Sequence, residues 1–230
     1  MAACTVIFGA RSGVGLHLAR LLLQARVPVI AMLRPGTDAA ALEAMGVGIT
    51  RGDAFVRDDI EATLDLAGEG GAGADGFDVV STVGGRHEDG RFADEDGNIN
   101  IADATAARGV GRFVLVTSIG CGEMAPYRSE RAIAAFGAAV DAKTRAEDHA
   151  WRVLPFATFI RPGGLRSEPA TGRGILSEDA QMHGFIHRED VADLVARALR
   201  DPATQGRAFA AVDADQAHSV NTIEPFPLAR

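Results

Sequence analysis

The segment Phe-Gly-Ala-Arg-Ser-Gly-Val-Gly, at residues 8–15, is the sequence feature that most constrains the fold. A β-branched and aromatic run from Thr5 to Phe8 leads into it and predicts the first strand, and from Val14 onward leucines recur at helical spacing. The glycines therefore fall where the backbone passes from a strand into a helix and must turn sharply. Because such a turn also lets a ligand approach the backbone closely, we expect a binding site at this point.

Strand-like and helix-like segments alternate through the rest of the chain. Further strands are predicted at residues 27–33, 47–50, 77–83, 112–118, 157–160 and 207–212. The predicted helices lie between them, at residues 38–45, 58–66, 98–108, 133–153 and 190–200. This alternation requires right-handed crossovers, so it predicts an α/β fold with a Rossmann-type, doubly wound parallel sheet. No linker interrupts the pattern, and residues 1–230 are expected to form a single domain.

Charge and cysteine content narrow the choice of partners and compartment. A net charge of −8 without clustered Lys or Arg argues against nucleic-acid binding. No basic leader precedes the first strand, and no apolar stretch approaches the ~20 residues that cross a bilayer, so we expect a cytoplasmic protein without membrane contact. Cys4 and Cys121 are too few for a disulfide framework and lack zinc-site spacing, so no metal is expected. The expected partner is a small-molecule substrate; monomer and homodimer both stay open.

The glycine turn is predicted to bind the pyrophosphate of a dinucleotide. Free N–H groups and the partial positive charge at the start of the first helix favour an anion there. The cofactor-binding residues predicted in the turn are Gly9, Arg11, Ser12, Gly13, Val14 and Gly15. A tight strand-to-helix turn without a ligand is the alternative interpretation.

Arg34, at the end of the second predicted strand, stands where NAD-binding proteins usually carry a carboxylate for the ribose hydroxyls. A guanidinium instead suits a 2′-phosphate, and Arg11 is near enough in the fold to contact the same group, so NADP (NADPH) is favoured and NAD is less expected. Solvated arginines are the alternative. After the third strand, Asp53 is predicted to accept a hydrogen bond from the adenine amino group, although it equally suits the cap of a turn, and the adjacent Ala54 is a further predicted cofactor-binding residue.

Seven segments, taken in order, make the chain resemble the short-chain dehydrogenase/reductase superfamily. These are FGARSGVG, RGDAF, DVVSTVGG, GNINIADATAARGVGRFVLVTSIG, AKTRAED, FIRPGGL and HREDVADLVARAL. The resemblance covers nearly the whole chain. It is greatest to the atypical members, the NAD(P)H-binding, NmrA-like and biliverdin/flavin-reductase-like proteins.

The resemblance implies roles for residues outside the glycine turn. Val83, Gly84 and Gly85 would pass under the cofactor, Ser118 would lie beside the nicotinamide, Lys143 would hold the nicotinamide ribose, and Pro162 and Gly163 would shape the carboxamide pocket. In the last motif, Asp190 is expected to cap the final helix. His187 is expected to be a structural histidine, with a position facing the substrate as the alternative.

The chain departs from the superfamily at the proton donor. A tyrosine four residues before the lysine normally supplies the proton, and Ala139 stands at that position before Lys143. Tyr127 is the only tyrosine in the chain and is a candidate acid, with a surface tyrosine as the alternative. The candidate catalytic residues are therefore Ser118, Lys143 and Tyr127.

Three functions follow in order of preference. The first is an NADPH-dependent oxidoreductase, a reductase of a small organic molecule, in which Ser118, water or the substrate handles the proton. The second is a non-catalytic NADP(H)-binding redox sensor, which explains Ala139 most directly. The third is an isomerase or lyase on the same fold, with His183 or His187 as base.

Loops at about 120–140 and 165–186 are predicted to lie on the substrate side, and the long stretch at residues 166–183 is typical of a ligand-covering loop. A reductase needs an apolar pocket there. The side chains that could supply it are Met124, Phe136, Leu165, Met182 and Phe185, with the alternative that they belong to the core.

Overall fold

The computed structural model describes residues 4–69 and 76–229. The sequence between the predicted helix at residues 58–66 and the predicted strand at residues 77–83 is rich in glycine and alanine and is expected to be a connector, and it falls mostly outside these ranges. Within them, no helix combines the length and the apolar character that a bilayer crossing needs.

Strands and helices alternate along the chain. The strands are β1 (Thr5–Phe8), β2 (Val29–Leu33), β3 (Gly48–Arg51), β4 (Phe77–Ser81), β5 (Val110–Val116), β6 (Thr158–Pro162), β7 (Gly164–Arg166), β8 (Gly174–Ser177), β9 (Phe185–His187) and β10 (Ala208–Asp213). The helices are α1 (Gly13–Gln24), α2 (Ala40–Ala44), α3 (Arg57–Glu69), α4 (Asn98–Ala106), α5 (Glu130–Val153) and α6 (Arg188–Ala198).

Eight strands form one sheet in the order β3-β2-β1-β4-β5-β6-β10-β8. All neighbours pair in parallel except β8, which is antiparallel to β10. The predicted α/β fold, a Rossmann-type sheet in a single domain, is thus confirmed, with one antiparallel edge strand added. The strand order reverses between β1 and β4, which is where doubly wound sheets bind their ligands.

The sheet is covered on both faces, which explains the continuous apolar run in β5. Val114 and Val116 belong to the core cluster shared with α1 and α6. Phe113 and Leu115, the alternate residues, belong to the cluster shared with α3, α4 and α5. A central parallel strand that is buried on both sides needs apolar residues at every position.

The stretch predicted as a long loop contains β8, and the C-terminal segment lies along it. Leu176 of β8 pairs with Ala211 of β10. On the other side, the backbone N–H of Phe226 donates to the carbonyl of Leu176 at 2.7 Å, and the Phe226 ring packs 4.7 Å from that of Phe209. β8 escaped sequence prediction because only Ile175 and Leu176 are apolar in a stretch otherwise rich in glycine, serine and charged residues.

Two irregular turns flank the helices that lead to the candidate site. A π-helical turn at Ala93–Gly97 runs directly into α4, and a 3₁₀ turn at Gly122–Tyr127 precedes α5. α5 begins three residues earlier than predicted because the Ser129 hydroxyl accepts a hydrogen bond from Ala132 N at 3.2 Å, which caps the helix.

Candidate functional site

The glycine turn lies after β1, beside the point where the strand order reverses. Gly9 and Gly13 have φ of +94° and +59°, and a Cβ on Gly15 would lie 2.4 Å from the carbonyl oxygen of Gly9. Glycine is therefore required by the backbone itself at this turn.

Ser12 precedes α1 with an extended backbone, and its side chain makes no capping hydrogen bond. The first turn of α1 also carries no acidic side chain. The first N–H groups of a helix have no partner within the helix, so this end is suited to bind an anion. The donor set fits the pyrophosphate of a dinucleotide.

Arg188, the first residue of α6, lies beside this turn and was not identified from the sequence. Its Cδ and Nε are 3.4 Å and 3.6 Å from the position that a Cβ on Gly13 would occupy. Its Nη1 donates to the hydroxyl of Ser167 at 2.8 Å. In the motif HRED, the neighbouring His187 and Asp190 are the residues to which the sequence assigns roles. No local feature indicates that Arg188 reaches a turn so distant in sequence.

Arg11 and Arg34 are both exposed, as a role in binding a 2′-phosphate from solution requires. A third arginine, Arg51, supports the segment after β2. It ends β3 opposite Leu33, and its Nη1 donates to the carbonyl of Thr37 at 2.6 Å and to that of Arg34 at 3.4 Å. Arg51 thus holds the backbone that carries Arg34.

Asp53 makes the local contacts of a capped turn. Its Oδ1 accepts from the backbone N–H of Phe55 at 2.9 Å, and its own N–H donates to Asp59 at 2.9 Å. The neighbouring Ala54 carbonyl accepts from Asn100 at 3.0 Å. The adenine contact of Asp53 stays a prediction, since turn capping uses one of its carboxylate oxygens, and so does the cofactor contact of Ala54.

Lys143 lies against the segment after β4 and is paired there with Asp94, a residue that sequence reasoning missed. The Lys143 ammonium donates to Asp94 Oδ1, and Gly85 N donates to Asp94 Oδ2 at 2.7 Å. A Cβ on Gly84 would lie 2.7 Å from Asp94 and 3.4 Å from Lys143 Nζ. The structure thus brings Lys143, Gly84 and Gly85 together, and their contacts with the cofactor stay predictions.

The π-helical turn holds Asp94 in place through Asn98. Asn98 is buried, and its Nδ2 donates to the carbonyls of Asp94 at 2.9 Å and of Val83 at 3.2 Å. Its Oδ1 accepts from the Ser81 hydroxyl at 2.6 Å. Three acidic residues adjoin in this turn, so the sequence contained no signal that would single out Asp94.

The remaining candidate catalytic residues, Ser118 and Tyr127, both lie between β5 and α5. Ser118 is half-buried, and its hydroxyl donates to the Ile119 carbonyl at 3.0 Å. Tyr127 ends the 3₁₀ turn with 45% of its surface exposed, and its hydroxyl has no hydrogen bond within residues 4–69 and 76–229. Ala139 lies one helical turn before Lys143, so no phenol hydroxyl occupies that place.

A buried ion-pair network underlies Ser118 and Pro162. Arg161 Nη2 donates to Glu147 Oε2 at 2.8 Å, and its Nε donates to Oε1 at 3.0 Å. Thr117 donates to the same Glu147 Oε1 at 2.6 Å, and Glu123 accepts from Arg161 Nη1 at 2.6 Å. Burial raises the pKa of Glu147, and the bonds from Arg161 and Thr117 oppose that shift. The network fixes the ends of β5 and β6 against α5.

Gly163, which follows β6, is in close contact with protein backbone. A Cβ there would lie 2.3 Å from the Gly184 carbonyl oxygen, and its N–H donates to the Ala211 carbonyl at 2.9 Å. The Pro162 carbonyl accepts from Ile119 N at 3.0 Å. Packing alone therefore accounts for glycine at 163, and the carboxamide pocket at Pro162 and Gly163 stays a prediction.

The expectation that Asp190 caps α6 is wrong. His187 stands at the N-cap, and Asp190 lies within the first turn. Its carboxylate instead accepts from the backbone N–H groups of Thr171 at 2.9 Å and of Gly172 at 2.8 Å. Asp190 therefore anchors the segment that precedes β8. Its carboxylate binds these N–H groups, which are distant in sequence, instead of those at the start of its own helix.

The two histidines named as alternative bases differ in their surroundings. His187 is buried, with Nδ1 3.5 Å from Asp190 Oδ2 and Nε2 3.8 Å from Glu168. His183 is exposed and forms an isolated bridge with His218, each backbone N–H donating to the other's carbonyl at 2.8 Å.

The five apolar side chains expected to wall a pocket divide into two groups. Met124 and Met182 are buried and pack with Val212 in a small core cluster, so they do not line an open pocket. Phe136, Leu165 and Phe185 are exposed, at 66%, 41% and 47% of their surfaces. The guanidinium of Arg166 lies 4.5 Å from the centre of the Phe185 ring.

A glycine turn at the switch point of a doubly wound sheet defines a class of nucleotide-binding α/β proteins. The profile of a family described as NAD(P)H-binding matches residues 9–202, and the chain belongs to that family. This confirms the resemblance to NAD(P)H-binding, atypical short-chain dehydrogenase/reductase proteins, and the fold is that of NAD(P)H-dependent oxidoreductases.

Individual relatives extend over most of the chain. A Bacillus subtilis (strain 168) protein named as an uncharacterized sugar epimerase, YhfK, is 30% identical over 197 residues, which cover 80% of this chain and 82% of that protein. ChuY, an anaerobilin reductase from Escherichia coli O157:H7, is 33% identical with a TM-score of 0.81, covering 92% of this chain and 97% of that one. The yeast methylglyoxal/isovaleraldehyde reductase Gre2, solved with NADPH, shares the fold at a TM-score of 0.70 and 18% identity, covering 91% and 78%.

Proposed function

We propose that this protein is an NADPH-dependent reductase of a small organic molecule. The observation that carries the proposal is the uncapped N-terminus of α1 at the β1–β4 switch point, in a chain of the NAD(P)H-binding family. NADPH, when bound, supplies the hydride. The chain's own residues bind and orient the cofactor and handle the proton.

Two exposed arginines support NADPH over NADH. Arg34 follows β2, where a carboxylate would favour the ribose hydroxyls of NAD, and Arg51 holds its backbone in place. Arg11 lies in the glycine turn itself. A guanidinium binds a phosphate through two parallel hydrogen bonds, which gives a 2′-phosphate a large advantage over a hydroxyl.

Lys143 is proposed to hold the nicotinamide ribose from its position beside Gly84 and Gly85. Its pairing with Asp94 fixes the position of the ammonium group. Ser118 and Tyr127 are the proposed hydroxyl groups for proton transfer, and water is the third source.

We propose a conjugated electron acceptor as the substrate class: a flavin, a quinone or a linear tetrapyrrole. Reduction of such a molecule spreads the developing charge over many atoms, so a strong acid at one oxygen is less necessary, and Ala139 is tolerated. The similarity to an anaerobilin reductase supports this choice. Three exposed apolar side chains offer contacts for an extended planar molecule: Phe136 on α5, Leu165 on β7 and Phe185 on β9.

A redox sensor remains the second proposal, because Ala139 stands where the superfamily's proton donor normally lies. The isomerase alternative has the relative named as a sugar epimerase in its support. Both differ from the reductase in one measurable respect, since neither consumes NADPH.

The test is a titration with NADPH and NADH by nucleotide fluorescence, followed by NADPH oxidation with FMN, quinones, biliverdin and a carbonyl panel. Tyr127→Phe and Ser118→Ala should then be compared for turnover at saturating NADPH. Binding with turnover supports the reductase. Tight binding without turnover on the panel favours the sensor or the isomerase, and the lack of any binding overturns all three.

A further inference from the structure

We propose that Arg188 binds the diphosphate of the dinucleotide and that Ser167 positions its side chain. This inference rests on the proposed nucleotide binding and adds a residue that the glycine turn itself does not contain. It assigns a ligand-binding role to the first residue of α6, a helix that follows β9 and lies far from the turn in sequence.

Geometry places Arg188 at the middle of the glycine turn. Its Cδ and Nε approach the open side of Gly13 within 3.4–3.6 Å of an added Cβ, so the stem of the side chain packs directly against the backbone that an anion would contact. Gly13 is also the first residue of α1. The guanidinium is therefore next to the N–H groups on which the pyrophosphate is expected.

The charge of Arg188 has no acidic partner within the described residues. Its one side-chain hydrogen bond is to the neutral hydroxyl of Ser167. The acidic side chains on its own helix turn elsewhere: Asp190 accepts from Thr171 and Gly172, and Glu189 accepts from Ala170 at 3.4 Å. A cation beside the N-termini of two helices is electrostatically unfavourable on its own. A bound diphosphate removes that cost.

Arg188 and Arg34 serve different phosphates. Arg34 follows β2, which pairs with β1 on the side away from β4, whereas Arg188 contacts the turn itself. Because the diphosphate is common to NADPH and NADH, loss of Arg188 should weaken both cofactors alike. Loss of Arg34 should weaken NADPH selectively.

The experiment compares Arg188→Met with Arg188→Lys, with Ser167→Ala and with a control, Arg200→Met. Arg200 lies two residues beyond the C-terminal end of α6, and its Nε donates to the Ala196 carbonyl at 3.1 Å. The probes are NADPH, NADH and 2′-AMP, which has no diphosphate; 2′-AMP is measured by displacement of NADPH. Thermal unfolding of each variant reports whether the fold is intact.

Because Arg188→Met lacks one charge-assisted contact with the diphosphate, it should bind NADPH and NADH about 10-fold to 100-fold more weakly than the wild type. Its affinity for 2′-AMP should be unchanged. Arg188→Lys should recover part of the loss, Ser167→Ala should weaken both cofactors about 2-fold to 5-fold, and Arg200→Met should match the wild type. If the wild type binds both cofactors tightly and folded Arg188→Met binds them within twofold of it, the inference about Arg188 is overturned. The proposed function is then unaffected. A wild type that binds neither cofactor overturns both.

Discussion

The ammonium group of Lys143 is ion-paired with the carboxylate of Asp94, and the same carboxylate accepts the backbone N–H of Gly85 at 2.7 Å. Lys143 comes from α5 and Asp94 from the π-helical turn before α4. The pair joins these elements at the segment after β4. The lysine that the resemblance assigns to the ribose is thus fixed by an acid that the motif does not include.

Asp94→Asn should lower kcat of the proposed reductase about 10-fold to 100-fold, because Lys143 loses its charged partner and its fixed position. NADPH affinity should change less. The measurement is steady-state NADPH oxidation beside a fluorescence titration. Glu95→Gln is the matched control, since Glu95 is in the same turn and pairs with the exposed Arg145. Equal turnover in both variants would leave Asp94 a purely structural residue.

Arg34→Asp should weaken NADPH about 10-fold to 100-fold and NADH by much less, because a carboxylate repels the 2′-phosphate and accepts ribose hydroxyls. The ratio of the two dissociation constants is the quantity to measure. Arg20→Asp, an exposed arginine further along α1, controls for the change in net charge. Equal losses for both cofactors would remove Arg34 from the 2′-phosphate site.

Gly15→Ala should destabilise the fold by about 2–3 kcal/mol, because the new Cβ would approach the Gly9 carbonyl oxygen to 2.4 Å. The deformed turn should also lose NADPH binding. Gly46→Ala is the control for backbone strain: its φ is +90°, nothing lies within 4 Å, and the expected cost is about 1 kcal/mol. Chemical denaturation of both variants tests the difference, and equal stabilities would contradict the packing argument.

Glu147→Gln should cost about 3–5 kcal/mol of unfolding free energy, because it removes the charge that compensates the buried guanidinium of Arg161. Glu123, the other acid on Arg161, is half exposed, so Glu123→Gln should cost less than about 1 kcal/mol. Chemical denaturation distinguishes them. Similar losses of unfolding free energy in the two variants would mean that Arg161 depends on both carboxylates to the same extent.

The buried carboxyl group of Asp78 should make the free energy of unfolding depend on pH. Burial in β4 raises the pKa of its carboxyl from 3.8 to about 6, against the opposing charge of Arg112 on β5. The folded state therefore holds this proton more tightly than the unfolded chain, and stability falls as pH rises from about 4 to about 6. Because one pKa unit corresponds to about 1.4 kcal/mol, the free energy of unfolding is lower by about 3 kcal/mol at neutral pH than at a pH below both pKa values.

Asp78→Asn should thus be more stable than the wild type by about 1–3 kcal/mol at pH 7, and the two should converge below about pH 4, where both side chains are neutral. Urea unfolding at both pH values measures this. A wild type that is the more stable one at pH 7 would show that Arg112 stabilises the ionised carboxylate more than burial destabilises it.

The fold was largely predictable because its strands are buried on both faces. β1 was predicted residue for residue, since an apolar run ends there at Gly9. β5 was placed two residues late, because Thr117 and Ser118 continue the β-like composition beyond the last paired residue. Local composition does not indicate where pairing ends.

The candidate site was predictable where local sequence decides it, as at the glycine turn. Asp94 and Arg188 escaped because their roles come from residues distant in sequence, Lys143 and Gly13. Asp190 was assigned to its own helix for the same reason, although its donors come from Thr171 and Gly172. A single sequence shows no such long-range contacts.

Phe226 bears on how the edge of the sheet at β8 is covered. An edge strand offers unpaired carbonyl and N–H groups to any extended chain, which makes it a template for aggregation. Here the chain's own last segment takes one of those carbonyls, at Leu176, and secures itself by stacking on Phe209. The segment that carries Phe226 thus covers part of this edge, and its removal would leave the Leu176 carbonyl without that backbone donor.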